Sequence, residues 1–262
     1  MKTKLTIVKV GGNVVNNPEV LSQLLKDFST LPGYKLLVHG GGKIASEISK
    51  SLGINPQMIE GRRVTDAETL KVITMVYGGL INKNIVAELQ TLGCNAIGLT
   101  GADMNVIPAK KRNPDPIDFG FVGDFDPDDI NVEVLASLIN QGVNPVMAPL
   151  THDQQGSILN TNADTIASGL AIALSKHFEV TLAYCFEKNG VLRDAEDDSS
   201  VIEQINPPIY QSLKAEGIIF DGMIPKLDNA FLAISKGVAK VLITHANQLT
   251  ALDKKGTTLC AV

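Results

Sequence analysis

The sequence predicts an α/β fold with a mainly parallel β-sheet. Two apolar runs of strand length, Leu5–Val10 and Lys35–Val38, each lead directly into glycines, and helix-like sequence follows. Strands that alternate with helices in this way form parallel sheets joined by right-handed crossovers. The 262 residues, of which 44% are hydrophobic, suffice for one large α/β domain or for two fused lobes.

Local signals define the N-terminal elements. Asn17 and Pro18 are typical of a helix start, with Asn17 as the N-cap and Pro18 at the first helical position. Gly33 closes this helix ahead of the second strand. The glycines after that strand lead into a further helix, whose apolar face is marked by Ile44, Ile48 and Leu52.

The middle of the chain continues the alternation. Thr65 and Glu68 form a capping-box pattern at the start of a long helical stretch, which runs to about Leu92 with a bend at Gly78 and Gly79. A strand at 95–99 follows. Residues 105–127 are rich in Pro, Asp and Gly, and they predict an antiparallel excursion at the sheet edge. Further along we expect a helix at 132–139, a strand at 143–149 and a helix from about 160 to 174.

A second, strand-dominated unit begins near Val180. It contains a strand through Phe186, helices near 207–216 and 223–236, and a strand at 238–243. The stretch around His177 is the expected boundary. It divides the chain into an N-terminal lobe (1–176) and a C-terminal lobe (177–262).

Composition argues against several classes of function. The formal charge of −5, from 23 basic and 28 acidic residues, argues against a nucleic-acid partner, because such proteins concentrate basic residues. Lys110-Lys111-Arg112 is a tight basic run, which we interpret as a solvated loop. The cysteines lack disulfide or metal-ligand spacing. No signal peptide is visible, and no apolar run approaches the roughly 20 residues of a membrane span. We therefore expect a cytoplasmic protein without a membrane partner or a protein-held metal.

Glycines at two strand ends predict an anion-binding site. Gly11 and Gly12 follow the first strand, and Gly40, Gly41 and Gly42 follow the second. Such residues either only permit a turn or present backbone N–H groups to a phosphate. Two clusters on consecutive strands favour the phosphate site. No Walker sequence (G-x-x-x-x-G-K-[ST]) occurs, so an ordinary P-loop is excluded.

Three charged residues are candidates for chemistry at this site. Lys9 lies in an apolar strand directly before the glycines, where a buried ammonium group is costly unless it is paired or binds an anion. A snorkelling lysine is the alternative. Asp164 is the sole carboxylate of a long apolar stretch, and we expect it beside a lysine unless it only complements a helix dipole. Lys226, at a helix start of the second unit, is expected to reach the far side of a transferring phosphoryl group.

Polar residues beside these are candidates for substrate binding. Arg63 lies just before a helix start and suits bidentate binding of a carboxylate, although a surface arginine fits the local sequence equally well. Asn160 and Asn162 lead into the helix of Asp164, and Asn162 is alternatively only its cap. His39 is expected to be packed or hydrogen-bonded, because no nucleophile lies near it for activation.

These segments together resemble the amino-acid kinase family. Six segments match in the family's order over nearly the whole chain: Lys9–Gly12, His39–Gly42, Gly61–Thr65, Asn160–Asp164, Asp221–Lys226 and Gly256–Thr258. The resemblance implies an open three-layer αβα sandwich with an acyl-amino-acid lobe followed by an ATP-binding lobe. It also implies transfer of the γ-phosphoryl group of ATP to the side-chain carboxylate of an N-acylated L-glutamate, in arginine biosynthesis.

The resemblance assigns roles to individual residues. Lys9 and Lys226 would stabilise the transferring phosphoryl group, and Asp164 would hold both lysines. Arg63 would bind the α-carboxylate of the amino acid, with Asn160 and Asn162 beside it. Backbone donors to the phosphoryl oxygens and the reacting carboxylate would come from Gly11, Gly41 and Gly42. Contacts with ATP are assigned to Gly11, Gly12, Glu187, Gly190 and Lys226, and Mg²⁺ would be carried by the nucleotide.

The chain departs from the family pattern at two positions. Glu187 replaces the usual aspartate after the first strand of the nucleotide lobe, while Gly190 keeps the turn. Arg62 replaces an apolar residue, so a second guanidinium is available for an extra carboxylate, as in an N-succinyl rather than an N-acetyl group. An outward-pointing arginine is the alternative. Arginine-inhibited members carry an additional N-terminal helix. Four residues precede Leu5 here, which predicts a homodimer without arginine feedback.

Other functions fit these residues less well. A kinase of the same family acting on carbamate, aspartate, glutamate or a nucleotide monophosphate is the nearest alternative, although His-Gly-Gly-Gly with Gly-x-Arg-Val-Thr favours an acylglutamate. A non-catalytic nucleotide or metabolite sensor is disfavoured, because a sensor does not need Lys9, Lys226 and Asp164 together. A dinucleotide-binding oxidoreductase is disfavoured because G-x-G-x-x-G spacing is absent.

Overall fold

The structure, a computed structural model, describes residues 2–59, 61–194, 196–219, 223–252 and 256–261. Asp221 and Gly222 of the predicted segment ahead of Lys226 lie outside the described residues, as does the side chain of Pro225. Among the described residues, none of the helices has the length and apolar character needed to cross a membrane.

Strands and helices alternate along most of the chain. The strands are β1 (Lys4–Val10), β2 (Tyr34–His39), β3 (Met58–Ile59), β4 (Arg62–Arg63), β5 (Ala96–Leu99), β6 (Lys110–Lys111), β7 (Gly123–Asp124), β8 (Asn144–Met147), β9 (Leu150–His152), β10 (Ile158–Asn160), β11 (Glu179–Phe186), β12 (Gln204–Ile205), β13 (Lys240–His245) and β14 (Thr257–Leu259). The α-helices are α1 (Gly12–Val15), α2 (Pro18–Thr30), α3 (Gly42–Ser51), α4 (Ala67–Ile73), α5 (Asn82–Thr91), α6 (Val132–Asn140), α7 (Ala163–Leu174), α8 (Pro207–Ala215) and α9 (Met223–Ser235). A π-helical segment, Thr74–Ile81, joins α4 to α5.

Eight strands of the described chain form one sheet in the order β12-β14-β13-β11-β1-β2-β8-β5. The pairs are parallel except β13 with β14. One apolar core lies between the sheet and α6–α9, and a second lies between the sheet and α1–α5. The predicted αβα sandwich around a mainly parallel sheet is therefore confirmed.

Alternation along β1 determines which side chains face each core. Leu5 and Ile7 pack in the core on the α7 side, whereas Val8 and Val10 pack in the opposite core. Because successive side chains of a strand point to opposite faces, Lys9 lies on the same face as Leu5 and Ile7. This is the face covered by α7.

The predicted start of α2 is confirmed. The side chain of Asn17 accepts a hydrogen bond from Val20 N, and Pro18 is the first helical residue. The predicted capping box at Thr65 is wrong by one residue, because Asp66 is the N-cap and its carboxylate accepts from Thr69 N at 2.8 Å. Thr65 is buried and pairs with Gly120 in an isolated bridge, so it is extended backbone rather than a cap.

The antiparallel pairing predicted within 105–127 is confirmed, but its predicted place at the edge of the large sheet is wrong. β6 and β7 pair antiparallel and form a two-stranded sheet of their own. The lobe boundary after residue 176 stays a prediction. It falls between α7 and β11, and β11 pairs with β1 from Lys4–Glu179 to Val10–Cys185, so the large sheet is continuous across it.

Candidate active site

The two glycine turns face each other at the carboxyl ends of neighbouring strands. Gly40 N donates to Val10 O at 3.0 Å, which joins the end of β1 to the turn after β2. A Cβ placed on Gly12 would lie 3.7 Å from both Gly41 N and Gly42 N, and one on Gly40 would lie 3.2 Å from Gly12 N. The backbone N–H groups of the two turns therefore converge, in an arrangement suited to an anion.

Lys9 and Asp164 form a buried ion pair. Lys9 Nζ lies 2.7 Å from Asp164 Oδ1, and the two side chains are only 6% and 13% exposed. Asp164 is in the first turn of α7, where Asn162 Oδ1 accepts from Asp164 N at 2.7 Å and from Thr165 N at 3.1 Å. Asn162 therefore does cap this helix, and the cap orients the turn that carries the carboxylate.

Lys226 approaches the same place from α9. Its Nζ lies 5.2 Å from the centre of the Phe186 ring, and Lys9 Nζ lies 5.2 Å from the same ring. Burial lowers the pKa of Lys226 below its usual value. The Asp164 carboxylate opposes that shift, and the Lys9 ammonium group adds to it. Two ammonium groups and one carboxylate, brought from β1, α7 and α9, thus act on one another electrostatically.

A cavity of about 550 Å³ opens at this cluster. Nine of the residues singled out from the sequence line it: Gly40, Gly41, Gly42, Arg62, Arg63, Asn160, Asn162, Asp164 and Lys226. Glu187 does not; it lines a separate depression of about 650 Å³ together with Asn13 and Lys43. Asp164 and Lys226 therefore reach the same cavity as the carboxylate candidates, and Lys9 joins them through its ion pair with Asp164. Glu187 lies apart from them.

Arg63 is held through one of its terminal nitrogens, and the other lacks a hydrogen bond to the described part of the chain. Its Nη2 donates to Gly42 O at 2.8 Å and to Ser46 Oγ at 2.7 Å. Its Nη1 is buried and has no hydrogen-bond partner among the described residues. A buried unsatisfied donor is costly, and a carboxylate in the adjoining cavity would satisfy it. Asn160 lies beside this site, with its Nδ2 bound to Thr65 Oγ1 at 3.0 Å.

Sequence reasoning misassigned Arg112 and did not single out Tyr77. Both line the cavity. Arg112 was interpreted as part of a solvated loop, but its Nε donates to Asp124 Oδ2 at 2.9 Å, because β6 and β7 place Asp124 beside it. Tyr77 belongs to the π-helical segment and is 5% exposed. A bend was expected at Gly78 and Gly79, and that glycine pair was the available signal for an irregular helix facing the site.

The candidate nucleotide residues lie near the end of β11. Glu187 is exposed and accepts from Asn13 Nδ2 at 3.0 Å. Gly190 packs against β14, where an added Cβ would lie only 2.7 Å from Thr257 Oγ1. Thr257 Oγ1 also accepts from Val191 N at 2.8 Å. Gly190 thus has a packing role in this structure, and its contact with ATP stays a prediction.

Comparison with known proteins identifies similar chains. Residues 4–245 match the sequence profile of the amino acid kinase family. The acetylglutamate kinase of Cytophaga hutchinsonii is 59% identical over 98% of this chain and 97% of its own length. The acetylglutamate kinase of Phocaeicola vulgatus is 61% identical over 95% of this chain and 96% of its own. The solved structure of smu.665 from Streptococcus mutans UA159 has a TM-score of 0.80 at 27% identity, covering 98% of this chain and 99% of that one.

Proposed function

Since the chain belongs to the amino acid kinase family, we propose that it transfers the γ-phosphoryl group of ATP to the side-chain carboxylate of N-acetyl-L-glutamate. The observation that carries the proposal is the cavity itself. Its wall contains Lys226 and Asp164, and Asp164 is paired with Lys9. The wall also contains Arg63, whose Nη1 is unsatisfied among the described residues. Similar chains named acetylglutamate kinase support the choice of acceptor.

The proposed chemistry does not require a general base. A glutamate carboxylate is ionised at neutral pH, so the nucleophile is already active. Phosphoryl transfer then depends on in-line alignment and on neutralising charge on the transferring group. Lys9 and Lys226 supply positive charge, and Asp164 keeps both ammonium groups near each other. Gly12, Gly41 and Gly42 supply backbone N–H donors. Gly11 N already donates to Cys185 O at 3.2 Å, so its N–H group is not available to the phosphoryl group.

Arg63 and the asparagines would hold the amino acid. In this proposal the α-carboxylate accepts from Arg63 Nη1, whose neighbour Nη2 is already fixed by Gly42 O and Ser46 Oγ. Asn160 lies close by on β10, and Asn162 faces the same cavity while capping α7. A substrate bound in this way has its side chain directed toward the glycine turns.

Mg²⁺ would enter with the nucleotide. The described residues contain no group of three or more His, Cys, Asp or Glu side chains placed to hold a metal ion. Magnesium commonly keeps waters and binds nucleotide phosphates with few protein ligands. A site with few carboxylates therefore suits a magnesium ion that is carried by the nucleotide. Bound there, the ion would neutralise charge on the nucleotide phosphates. We further propose, from the resemblance, that the enzyme works in arginine biosynthesis, in the cytoplasm and as a homodimer.

The acceptor is tested by trapping the acyl phosphate with hydroxylamine. We expect ATP-dependent hydroxamate formation from N-acetyl-L-glutamate at a kcat/KM at least 100-fold above that for glutamate, aspartate or carbamate, because only the first presents both an acyl amide and two carboxylates to the cavity. Equal rates with free glutamate, or rapid phosphorylation of carbamate, would contradict the proposal. Nucleotide binding without hydroxamate from any acceptor would favour a sensor.

N-succinyl-L-glutamate is a second candidate acceptor. Arg62 lines the same cavity as Arg63, so a second guanidinium is available for an extra carboxylate. Arg112 also lines it but is already paired with Asp124. If the extra carboxylate is bound there, kcat/KM for the succinyl compound should exceed that for the acetyl compound. In Arg62→Leu the ratio should then fall about tenfold or more, while Arg193→Leu, at an exposed arginine with only a loose partner in Glu216, should leave it unchanged. Preference of the wild-type enzyme for the acetyl compound would remove this candidate.

A further inference from the structure

The peptide that joins Gly40 to Gly41 is held by the ring of His39. His39 is fully buried at the end of β2, and its Nδ1 lies 2.8 Å from Gly40 O. Burial lowers the pKa of His39 to about 4, although the contact with Gly40 opposes that shift. The ring is therefore neutral at physiological pH and carries one N–H. Since a carbonyl oxygen can only accept, that proton belongs on Nδ1.

Asn82 indicates that the other ring nitrogen of His39, Nε2, is unprotonated. Its Nδ2 lies 3.2 Å from His39 Nε2 and donates to Val146 O at 2.9 Å. The amide therefore donates to the unprotonated ring nitrogen and connects the ring to β8. Its Oδ1 fills the space that a Cβ of Gly98 would need, so glycine at 98 permits this approach. Asn82 is the first residue of α5, directly after the π-helical segment, and it is only 1% exposed.

The opposite side of the same peptide faces the cleft. In a trans peptide the C=O and the N–H point in opposite directions, so fixing Gly40 O fixes the direction of Gly41 N–H. Gly41 N lies on the Gly12 side of the turn, where the two glycine turns converge. Gly41 and Gly42 begin α3, and the first N–H groups of a helix have no partner within it. An added Cβ on Gly41 would overlap Ile81 Cδ1, so the turn is also packed against the π-helical segment.

We propose that His39, held by Asn82, is a positioning residue for phosphoryl transfer. It fixes the plane of the Gly40–Gly41 peptide so that Gly41 N–H points at the transferring phosphoryl group. The inference rests on the function proposed above and extends it to two residues that do not touch the substrate. Loss of one preorganised donor to a developing anion commonly costs 10²–10³ in kcat, and a misdirected N–H is expected to cost at the lower end of that range.

Two substitutions at position 39 separate positioning from packing. The amide nitrogen of Asn can occupy the place of Nδ1 and donate to Gly40 O, whereas that of Gln reaches the place of Nε2 and cannot. We expect His39→Asn to keep kcat within about fivefold of wild type and His39→Gln to lower it about 100-fold, with both KM values little changed. A packing role gives the reverse order, because Asn leaves the larger cavity. That reversed order, or equal losses, would overturn the inference.

A measurement on the wild-type protein covers the case in which neither variant folds. The ¹⁵N shifts of the His39 ring, assigned by elimination against variants of His152, His177 and His245, should show the neutral Nδ1–H form between pH 5 and 8. An Nε2–H ring, or protonation within that range, would overturn the inference. Absence of turnover in wild-type enzyme with any acceptor would instead refute the proposed function, so the two failures are distinguishable.

Discussion

Replacing Lys226 by methionine is expected to lower kcat about 10³-fold while the KM values for ATP and the acceptor change by less than about threefold. The reason is that the ammonium group, which lies 5.2 Å from the centre of the same Phe186 ring as Lys9 Nζ, meets charge that develops only during transfer. Interactions made only in the transition state appear in kcat rather than in KM. Methionine retains most of the aliphatic side chain, so packing on α9 is preserved.

Lys236→Met is the matched control, because Lys236 is an exposed lysine directly after α9. Its kinetics should equal those of wild type. The wild-type pH profile gives a second check. Because the pKa of Lys226 in the ligand-free protein is lowered by burial and by Lys9, kcat/KM should begin to fall at a pH below the usual lysine pKa, and K226M should lose this alkaline limb. A fall in kcat of less than fivefold in K226M would contradict a role for Lys226 in transfer. An effect confined to KM would show that Lys226 only binds ground-state phosphate.

The strand ends were predictable because their signals are local. An apolar run followed by glycine defines both the element and its functional end, and the parallel order then places Gly11–Gly12 beside Gly40–Gly42. The position of Lys9 on the α7 face follows from the two-residue period of β1. The pairing of Lys9 with Asp164 was also foreseeable, since each is an ionisable group within an apolar segment and each needs a partner.

Other residues depend on contacts that sequence spacing does not encode. Thr65 is of a residue type that often caps helices. Backbone pairing with Phe119, Gly120 and Phe121 holds it extended instead, so Asp66 is the N-cap. Arg112 looked solvated because Asp124 is twelve positions away in the sequence. The strands β6 and β7, which bring the two residues together, have only two residues each and give little sequence signal. The π-helical turns of Thr74–Ile81 shift the helical register, so a period of 3.6 residues does not indicate that Asn82 faces His39.

Converting Asp164 to asparagine is expected to destabilise the protein by about 3–5 kcal/mol, since it leaves the Lys9 ammonium group buried without its counter-ion. For a chain of this size, that corresponds to a fall of about 10 °C in the melting temperature. Asparagine is nearly isosteric, so packing is retained and the change isolates charge. Asp128→Asn is the matched control. It breaks the exposed pair with Lys176, which is 57% exposed against 74% for Asp128, and pairs of that kind contribute little.

The double variant Lys9→Met with Asp164→Leu separates stability from catalysis. Replacing both members of a buried ion pair by apolar side chains of similar size is often neutral or stabilising, so the melting temperature should return to that of wild type or exceed it. Turnover should stay at the background level, because neither the lysine nor the carboxylate that orients the two ammonium groups is present. If the double variant were as unstable as Asp164→Asn, the pair would be a structural element of the core. Recovery of stability without activity would mean that two charges are kept buried between β1 and α7 for the phosphoryl group that they meet.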